Sequence, residues 1–479
     1  MFRVFSAKQD KYEQVGLLPQ RRWMNPPRVV FFSFIIVILI GSVLLTLPIS
    51  ASEGKPRVEY VDALFTSASA TCVTGLIVKD TPKDFSLFGQ IVIIVLIQAG
   101  GLGIMTMATF FLLLFGRKVS FRDSSSVDNS LGRSGFSNFR HFIYYALIVT
   151  FTIEVAGTLI LYSKIIHSPV NDYSLGKSLY VSAFHSISAF CNAGFSLYSD
   201  NLVRFNNDPV VVLTIAFLII IGGIGFLVLY NFLNLRFWKK NRIERGRLTL
   251  HTKVVFFGTG ILIAVGFFAF LIFEWDATMK GMPLWQKSLN SFFCSVTPRT
   301  AGYNTIDYSQ MSKPGILTTM FLMFIGASPA STGGGIKTAT FVVLIATSWS
   351  MIKGKNSVSI FKRSIPSRVI QETIGVVLLS TMVLMFMSVA LSITEEYSDF
   401  GYGPSDIGSI PKIVFEVISA FGTVGLSTGI TPFLSDFGKI LLTLTMFIGR
   451  IGPLVAALAI AQREIPPEVT YPEERIMVG

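Results

Sequence analysis

The sequence predicts an all-α membrane protein built from four covalently linked helix–loop–helix repeats. Three observations lead to this fold class. Of the 479 residues, 51% are hydrophobic and only 14% are charged, and four short polar segments that end in glycine recur between long apolar runs. A soluble chain of this length needs more charge to cover its surface. We therefore expect eight transmembrane helices and four re-entrant loops.

Each repeat contains two apolar runs long enough to span a bilayer, which takes about 20 residues per helix. The paired runs are 29–49 and 88–115, 141–163 and 209–233, 254–274 and 314–350, and 369–394 and 436–461. Between the members of each pair lies a shorter apolar stretch: 61–72, 178–191, 284–297 and 410–421. These stretches predict short helices that enter the membrane halfway and return as extended strands. Asp62 is a candidate N-cap of the first short helix.

The glycines that follow the short stretches are regularly spaced. Gly75, Gly194, Gly302 and Gly425 lie 119 (194 − 75), 108 (302 − 194) and 123 (425 − 302) residues apart. Non-helical backbone at membrane depth is tolerated only where it is buried or lines a water-filled path. Ordinary glycine turns are the alternative, but four in register favour a pseudo-fourfold ring of carbonyls around one pore. Such a ring replaces the hydration shell of a passing cation.

The candidate cation-coordinating residues are those at and just before these glycines. They are Cys72, Val73, Thr74, Gly75, Cys191, Asn192, Ala193, Gly194, Thr300, Ala301, Gly302, Gly422, Thr423, Val424 and Gly425. The short helices direct their C-terminal ends, which carry partial negative charge, at the same axis. Both features favour a cation at the centre.

The second run of the third repeat contains a stretch of small residues that predicts an interrupted helix. We interpret this stretch as an intramembrane gate; a simple helix kink is the alternative. Its residues are Gly326, Ala327, Ser328, Pro329, Ala330, Ser331, Thr332, Gly333, Gly334 and Gly335. Lys337 and Arg450 also lie inside apolar runs, where a charge is costly unless it is hydrated or paired. We assign both to the gate, with Arg450 facing the pore, although a snorkelling cation is the alternative.

The net charge of +12 has a topological explanation. Basic residues cluster in the N-terminal tail and in the loops 117–140, 236–253 and 353–368. By the positive-inside rule this places both termini in the cytoplasm and makes a nucleic-acid role unnecessary. We divide the chain into cytoplasmic tails and four repeats: 1–28, 29–118, 139–235, 250–352, 368–463 and 464–479.

Other function classes lack their motifs. Three cysteines and four scattered histidines form neither a disulfide framework nor a metal-ligand pattern. There is no credible nucleophile–base–orienter set, so we do not expect an enzyme. No P-loop or GxGxxG opens a predicted helix, so nucleotide control requires a partner chain.

The segments 73–76, 192–196, 296–304 and 421–426 resemble the four filters of the superfamily of K+ transporters that comprises the Trk, Ktr and plant HKT proteins. The segments 331–337 and 449–453 resemble its intramembrane loop and its arginine site. Trk subunits carry two additional N-terminal helices, whereas here the first helix starts near Val29. The chain is therefore most similar to the membrane subunits of Ktr type (KtrB-type).

The resemblance implies K+ uptake through a gated, channel-like pore in the bacterial inner (plasma) membrane, with a monovalent cation as the only metal, bound at the filter glycines. Serine in place of a filter glycine accompanies Na+ transport in some relatives, so four glycines favour K+. Cys72 departs from the threonine expected there. The alternative is a K+/Na+ or K+/H+ coupled secondary transporter, which inverted repeats would favour; these repeats share one orientation.

The resemblance also implies stimulation by Na+ and a homodimer on a cytoplasmic ring of RCK-domain regulatory subunits (KtrA-type). That ring binds ATP or ADP, so nucleotide acts only through the partner. The basic loops 117–140 and 236–253 and the terminal residues 475–479 are candidate contact surfaces. Attraction to membrane lipids explains the loop charges almost as well.

Overall fold

The computed structural model describes residues 26–102, 139–167, 173–233, 248–355, 357–396, 409–453 and 455–456. In the first repeat the helices are α1 (Pro26–Thr46), α2 (Tyr60–Thr71) and α3 (Leu87–Gly101), and in the second they are α4 (Phe139–Ile165), α5 (Leu175–Phe190), α6 (Pro209–Ile224) and α7 (Phe226–Leu233). The third repeat contains α8 (Leu250–Phe273), α9 (Leu284–Val296), α10 (Lys313–Phe324) and α11 (Thr338–Ile352). The fourth contains α12 (Ser367–Glu396), α13 (Ile410–Gly422) and α14 (Asp436–Ile451).

Short elements connect these helices. A one-turn helix, Thr81–Asp84, precedes α3, and 3-10 turns occupy Pro48–Ser50, Val203–Phe205, Tyr308–Gln310 and Thr431–Phe433. The strands β1 (Ser359–Ile360) and β2 (Arg363–Ser364) pair antiparallel between α11 and α12. The fold is thus almost entirely helical.

The second helix of each repeat begins at a side-chain N-cap. Ser86, Ser312 and Ser435 each accept a hydrogen bond from the backbone N–H three residues later. In the second repeat Asp208 has this role and Pro209 follows it. Such caps satisfy N–H groups that have no partner inside the helix. They therefore define where each second helix starts.

The repeats pack in a closed cycle. Within each repeat the first helix packs on the short helix that follows it. The second helix packs on the short helix of the next repeat: α3 on α5, α6 on α9, and α10 on α13. Finally α14 packs on α2, so the end of the chain contacts its beginning. The four short helices therefore lie on the inside of a ring.

In the part of the chain that the structure describes, four helices are long and apolar enough to cross a membrane: Arg28–Thr46, Tyr144–Ile165, Leu250–Phe273 and Ser367–Glu396. These are the first helices of the four repeats. Each of them carries large exposed apolar side chains; Leu378 and Phe386, for example, are 60% and 69% exposed. Apolar surface of this extent fits lipid rather than water. The helices α3 and α11 are apolar but shorter.

The apolar run predicted over 209–233 is helical but sharply bent. The axes of α6 and α7 meet at 95°. Gly225 lies between them with φ +98°, a conformation that a side chain disfavours. The N–H of Phe226 donates to Ala330 O, 2.9 Å away, instead of to a carbonyl of α6. Contact with the third repeat therefore competes with helix continuation.

The prediction that Asp62 caps α2 is also wrong. The N-cap is Glu59, whose side chain makes no capping bond, and Asp62 is the third residue of the helix. The Asp62 carboxylate lies 2.7 Å from Lys439 Nζ and 3.2 Å from Lys79 Nζ. A buried ammonium needs a counter-charge more than an N-terminal N–H needs a cap.

Several predicted regions lie outside the described residues. They include the tails 1–25 and 457–479, the residues 103–138, which contain most of the loop 117–140, and the residues 234–247 of the next basic loop. The predicted domain boundaries and partner-contact surfaces in these regions stay predictions.

Candidate functional site

The four glycine segments share an unusual backbone. Each terminal glycine has a positive φ, between +68° at Gly194 and +94° at Gly75. The residue two positions before each glycine also has a positive φ; these residues are Val73 (+58°), Asn192 (+62°), Thr300 (+73°) and Thr423 (+50°). Alternating left-handed and ordinary residues turn consecutive peptide groups to the same side. The segments can thus present several carbonyls in one direction.

Neighbouring segments touch one another through these glycines. A Cβ added to each glycine would collide with the carbonyl oxygen that precedes the glycine of the next segment. The colliding pairs are Gly75 and Ala193, Gly194 and Ala301, Gly302 and Val424, and Gly425 and Thr74. The relation runs from the first segment to the fourth and back to the first. The four segments therefore form a closed ring that has no room for a side chain at these positions.

Not every predicted residue lies in this ring. Cys72 and Cys191 are the C-caps of α2 and α5, and Gly422 is the last residue of α13. The Cys191 thiol points away from the ring, to Gln98 Oε1 at 3.6 Å. These three residues form the C-terminal ends of the short helices. They are not among the residues through which neighbouring glycine segments touch. The other predicted residues of the four segments are brought together.

Buried hydroxyl groups of the short helices form hydrogen bonds with the backbone of the ring. These groups were not predicted from the sequence. Each belongs to a short helix or its C-cap and bonds the backbone at or just after the glycine. Three hydroxyls donate to carbonyls: Ser69 Oγ to Leu76 O (2.7 Å), Ser188 Oγ to Phe195 O (2.9 Å) and Thr297 Oγ1 to Tyr303 O (2.5 Å). Two hydroxyls accept from glycine N–H groups: Ser69 Oγ from Gly75 N (3.0 Å) and Ser419 Oγ from Gly425 N (3.1 Å). The signal was present: Ser69, Ser188 and Ser419 each precede their glycine by six residues.

Side chains also join the second and third segments. The hydroxyl of Tyr303 donates to Phe195 O at 2.9 Å, and the Asn192 amide lies 3.2 Å from the Thr300 hydroxyl. All four of these residues are buried. The contacts fix the separation of two neighbouring segments, and thereby the width of the ring on that side.

One face of the ring borders a cavity of about 500 Å³ that all four glycines line. Asp80, Asp200 and Asp307 line it as well. Asp200 accepts a hydrogen bond from Arg204, and this contact raises the pKa of the Arg204 guanidinium above its ordinary value. Asp80 also forms an ion pair, with Lys83, so the attraction of this concave surface for cations comes mainly from Asp307.

The opposite face borders the segment 326–335, which we call the interrupted segment. It lies between α10 and α11, and its ends are joined by a parallel bridge between Ile325 and Ile336. Its backbone bonds to glycines of two other repeats, through Ser328 N to Gly223 O (3.0 Å) and Gly335 N to Gly449 O (3.3 Å). Glycine-rich second helices thus allow this non-helical strand to approach closely.

The interrupted segment also contacts the ring itself. Gly334 N donates to Thr423 Oγ1 at 3.0 Å, and a Cβ on Gly333 would collide with the Thr300 hydroxyl. Residues that follow the ring glycines line the cavity, whereas residues that precede them contact this segment. The ring therefore separates the cavity from the interrupted segment.

The two predicted cations bind carbonyls of the same segment. Lys337 Nζ donates to Gly333 O at 2.8 Å and to Gly334 O at 3.4 Å. Arg450 donates through Nη1 to Thr332 O and through Nη2 to Gly100 O. Arg450 thus joins the interrupted segment to the first repeat from its own position in the fourth.

The chain matches the TrkH family, described as cation transport protein, over residues 7–466. It is 39% identical to a Ktr system potassium uptake protein B of Bacillus subtilis, over 96% of this chain and 98% of that protein. It is 37% identical to the Ktr system potassium uptake protein B of Vibrio alginolyticus (100% and 98%) and 36% identical to the potassium/sodium uptake protein NtpJ of Enterococcus hirae (96% and 98%). The crystal structure of the potassium transporter TrkH from Vibrio parahaemolyticus is similar in fold, with a TM-score of 0.65 at 18% identity over 90% of this chain and 85% of that one.

Proposed function

Because the chain belongs to the TrkH family of cation transport proteins, we propose that it takes up K+ through a gated, channel-like pore in the bacterial cell membrane. The observation that carries this proposal is the closed ring of glycine segments between a carboxylate-lined cavity and the interrupted segment. The names of the relatives support K+ as the ion, and one of them includes Na+.

The selectivity filter consists of the backbone carbonyls of the four glycine segments. Carbonyl oxygens replace the water around a cation at a cost that depends on their spacing and number. Direct contact between each glycine and the next segment supports this role, because a side chain would displace the oxygens. Retention of glycine at all four positions supports a preference for K+ over Na+.

The gate consists of the interrupted segment together with Lys337 and Arg450. The segment lies across the face of the ring opposite the cavity, and the two cations hold it there through carbonyl oxygens. A positive charge in this position also disfavours a cation while the segment is in place. Opening requires the segment to leave the ring and its hydrogen bonds to exchange.

The assembly that fits this function has eight transmembrane helices in a pseudo-fourfold arrangement, with both termini in the cytoplasm. The cyclic packing of the short helices supports the arrangement, and the basic loops support the orientation. Two copies form a homodimer on an RCK-domain ring that binds ATP or ADP, and Na+ stimulates uptake. The absence of nucleotide motifs from the sequence supports a separate regulatory chain.

Growth of a bacterial strain that lacks its own K+ uptake systems tests the whole proposal. We expect the chain to restore growth at low K+, and to do so more strongly when an RCK subunit is co-expressed. A linear dependence of flux on voltage without fixed stoichiometry indicates a channel, whereas a constant ratio of K+ to Na+ or H+ indicates a coupled transporter. Failure of the membrane-inserted chain to restore growth would contradict K+ uptake.

Substitution Gly75→Ser tests the filter. We expect it to admit Na+, because the added Cβ displaces the Ala193 carbonyl. Gly54→Ser is the matched control, since Gly54 also has a positive φ (+76°) but nothing lies within 4 Å of its Cβ position. Competition between Na+ and Rb+ for entry into vesicles is the measurement. Equal selectivity in the two variants would show that the ring does not select ions.

A further inference from the structure

Arg299, directly before Thr300, is a buried cation that neither the filter nor the gate uses. It is 7% exposed. Its Nη2 lies 3.1 Å from the hydroxyl of Thr338 and 3.3 Å from the hydroxyl of Thr259 in α8. Among the described residues no carboxylate forms an ion pair with it. The Arg299 guanidinium thus donates hydrogen bonds to two neutral hydroxyl groups.

Thr338 lies where the interrupted segment rejoins a helix. It is the first residue of α11, and its hydroxyl donates to Gly326 O at 3.1 Å. Its N–H donates to Ala327 O at 3.2 Å. Together with the bridge between Ile325 and Ile336, these bonds hold the two ends of the interrupted segment together. Arg299 donates to the same hydroxyl that closes this junction.

The burial of Arg299 is poorly compensated. Its Nε has no hydrogen-bond partner. It borders a cavity of about 10 Å³ lined also by Thr259 and Gly223, which is at the lower limit of the space that one water molecule needs. Burying a guanidinium without a carboxylate opposes folding. Its contacts therefore point to a positioning role rather than to a gain in stability.

We propose that Arg299 is a positioning residue that couples the third glycine segment to the closed position of the interrupted segment. The proposal rests on the proposed function, since it concerns the same ring and gate. Arg299 binds the junction through Thr338, and the adjacent Thr300 hydroxyl contacts Gly333 near the other end of the segment. If the third glycine segment shifts on ion binding, the shift therefore reaches the interrupted segment at two places, Thr338 and Gly333.

Thiol labelling of a Ser331→Cys chain measures the position of the interrupted segment directly. Ser331 is partly exposed in this segment, whereas Cys72, Cys191 and Cys294 are buried. In inside-out vesicles with a membrane-impermeant thiol reagent, we expect Arg299→Met to raise the labelling rate about tenfold, the equivalent of one lost hydrogen bond to a charge. Thr338→Val also loses the bond to Gly326 O, so we expect it to raise the rate at least as much. The double variant should rise no further than Thr338→Val alone, because that variant already lacks the link to Arg299.

The control is Thr259→Val, which removes the other bond of Arg299 but leaves the junction intact. We expect its labelling rate to stay near that of the parent chain. An equal rise in Thr259→Val, an unchanged rate in Arg299→Met, or additive effects in the double variant would overturn the proposal. If Arg299→Met does not fold, Arg299→Gln takes its place, and an unchanged rate in that variant overturns the proposal.

Labelling does not require K+ transport. A chain that fails to move K+ but shows the predicted labelling would refute the proposed function and retain the coupling. A chain that transports K+ with unchanged labelling would do the reverse.

Discussion

At the scale of single residues, the ring depends on backbone conformations that its side chains disfavour. Val73, Thr300 and Thr423 are β-branched and have positive φ angles, which is unusual for such residues. Strain of this kind costs of order 1–3 kcal/mol per residue and persists only where the surroundings impose it. Here the hydroxyl bonds from the short helices supply part of that constraint.

Ser188→Ala tests one of these bonds. Loss of the hydroxyl leaves the Phe195 carbonyl with only the Tyr303 hydroxyl as a donor, and one lost hydrogen bond costs about 0.5–1.5 kcal/mol. We expect the second segment to relax and the preference for Rb+ over Na+ to fall in a vesicle flux assay. Ser182→Ala is the control, because that buried hydroxyl in the same helix bonds only its own helix, at Ser178 O. A similar loss of selectivity in both variants would argue against the hydroxyl's role.

At the scale of elements, the contact between α14 and α2 completes the cycle of packed helices. Here the two ends of the described chain meet without a covalent connection between them. Lys439 lies in the first turn of α14, where the helix dipole disfavours a cation. Asp62 and Asp436 lie 2.7 Å and 3.3 Å from its Nζ. Asp62 is in the first turn of α2, where the dipole favours an anion. The pair therefore joins two helix N-termini from the first and last repeats.

Asp62→Asn tests this contact between α14 and α2. The Lys439 ammonium then keeps only the exposed Asp436 carboxylate, so the cost stays below about 3–5 kcal/mol, which is the cost of a buried charge that is left with no partner. We still expect a clear fall in the midpoint of thermal unfolding in detergent. Glu372→Gln is the control, because the pair of Glu372 with Arg368 is exposed and such pairs contribute about 0–1 kcal/mol. If the two variants unfold at the same temperature, the contact between the first and last repeats does not depend on this charge.

At the scale of the whole molecule, the interrupted segment is the point where all four repeats meet. It belongs to the third repeat, bonds glycines of the second and fourth, and reaches the first through Arg450. A movement of any second helix can therefore alter its position. This arrangement suits a gate that responds to forces applied elsewhere on the protein.

Arg450→Ala tests the contribution of that connection. The variant loses the bonds to Thr332 O and Gly100 O and removes a positive charge that contacts the interrupted segment. We expect basal Rb+ flux to rise at least tenfold, the effect of about 1.4 kcal/mol, while Arg368→Ala at an exposed site leaves flux unchanged. A loss of flux in a folded Arg450→Ala chain would point to a role other than obstruction.

Much of the architecture follows from local pattern. The resemblance to the Trk, Ktr and HKT superfamily is confirmed, and the short helices lie where the short apolar stretches predict them. The bend within 209–233 and the wrong assignment of Asp62 both arise from contacts between distant parts of the chain. Gly225 bends a helix because Phe226 bonds to the third repeat, and Asp62 does not cap α2 because it binds Lys439 at the other end of the sequence.

The sequence by itself predicted the four repeats and determined the positions of the short helices, the glycines and the interruption between α10 and α11, because spacing and side-chain type are local properties of the chain. Only the tertiary structure decided which carbonyl faces which glycine, which hydroxyl holds each segment, and what Arg299, Lys337 and Arg450 bind. These contacts join residues that lie up to 351 positions apart, from Thr74 to Gly425 (425 − 74). Which residues contact one another depends on how one repeat packs on the next, and no local sequence pattern specifies that packing.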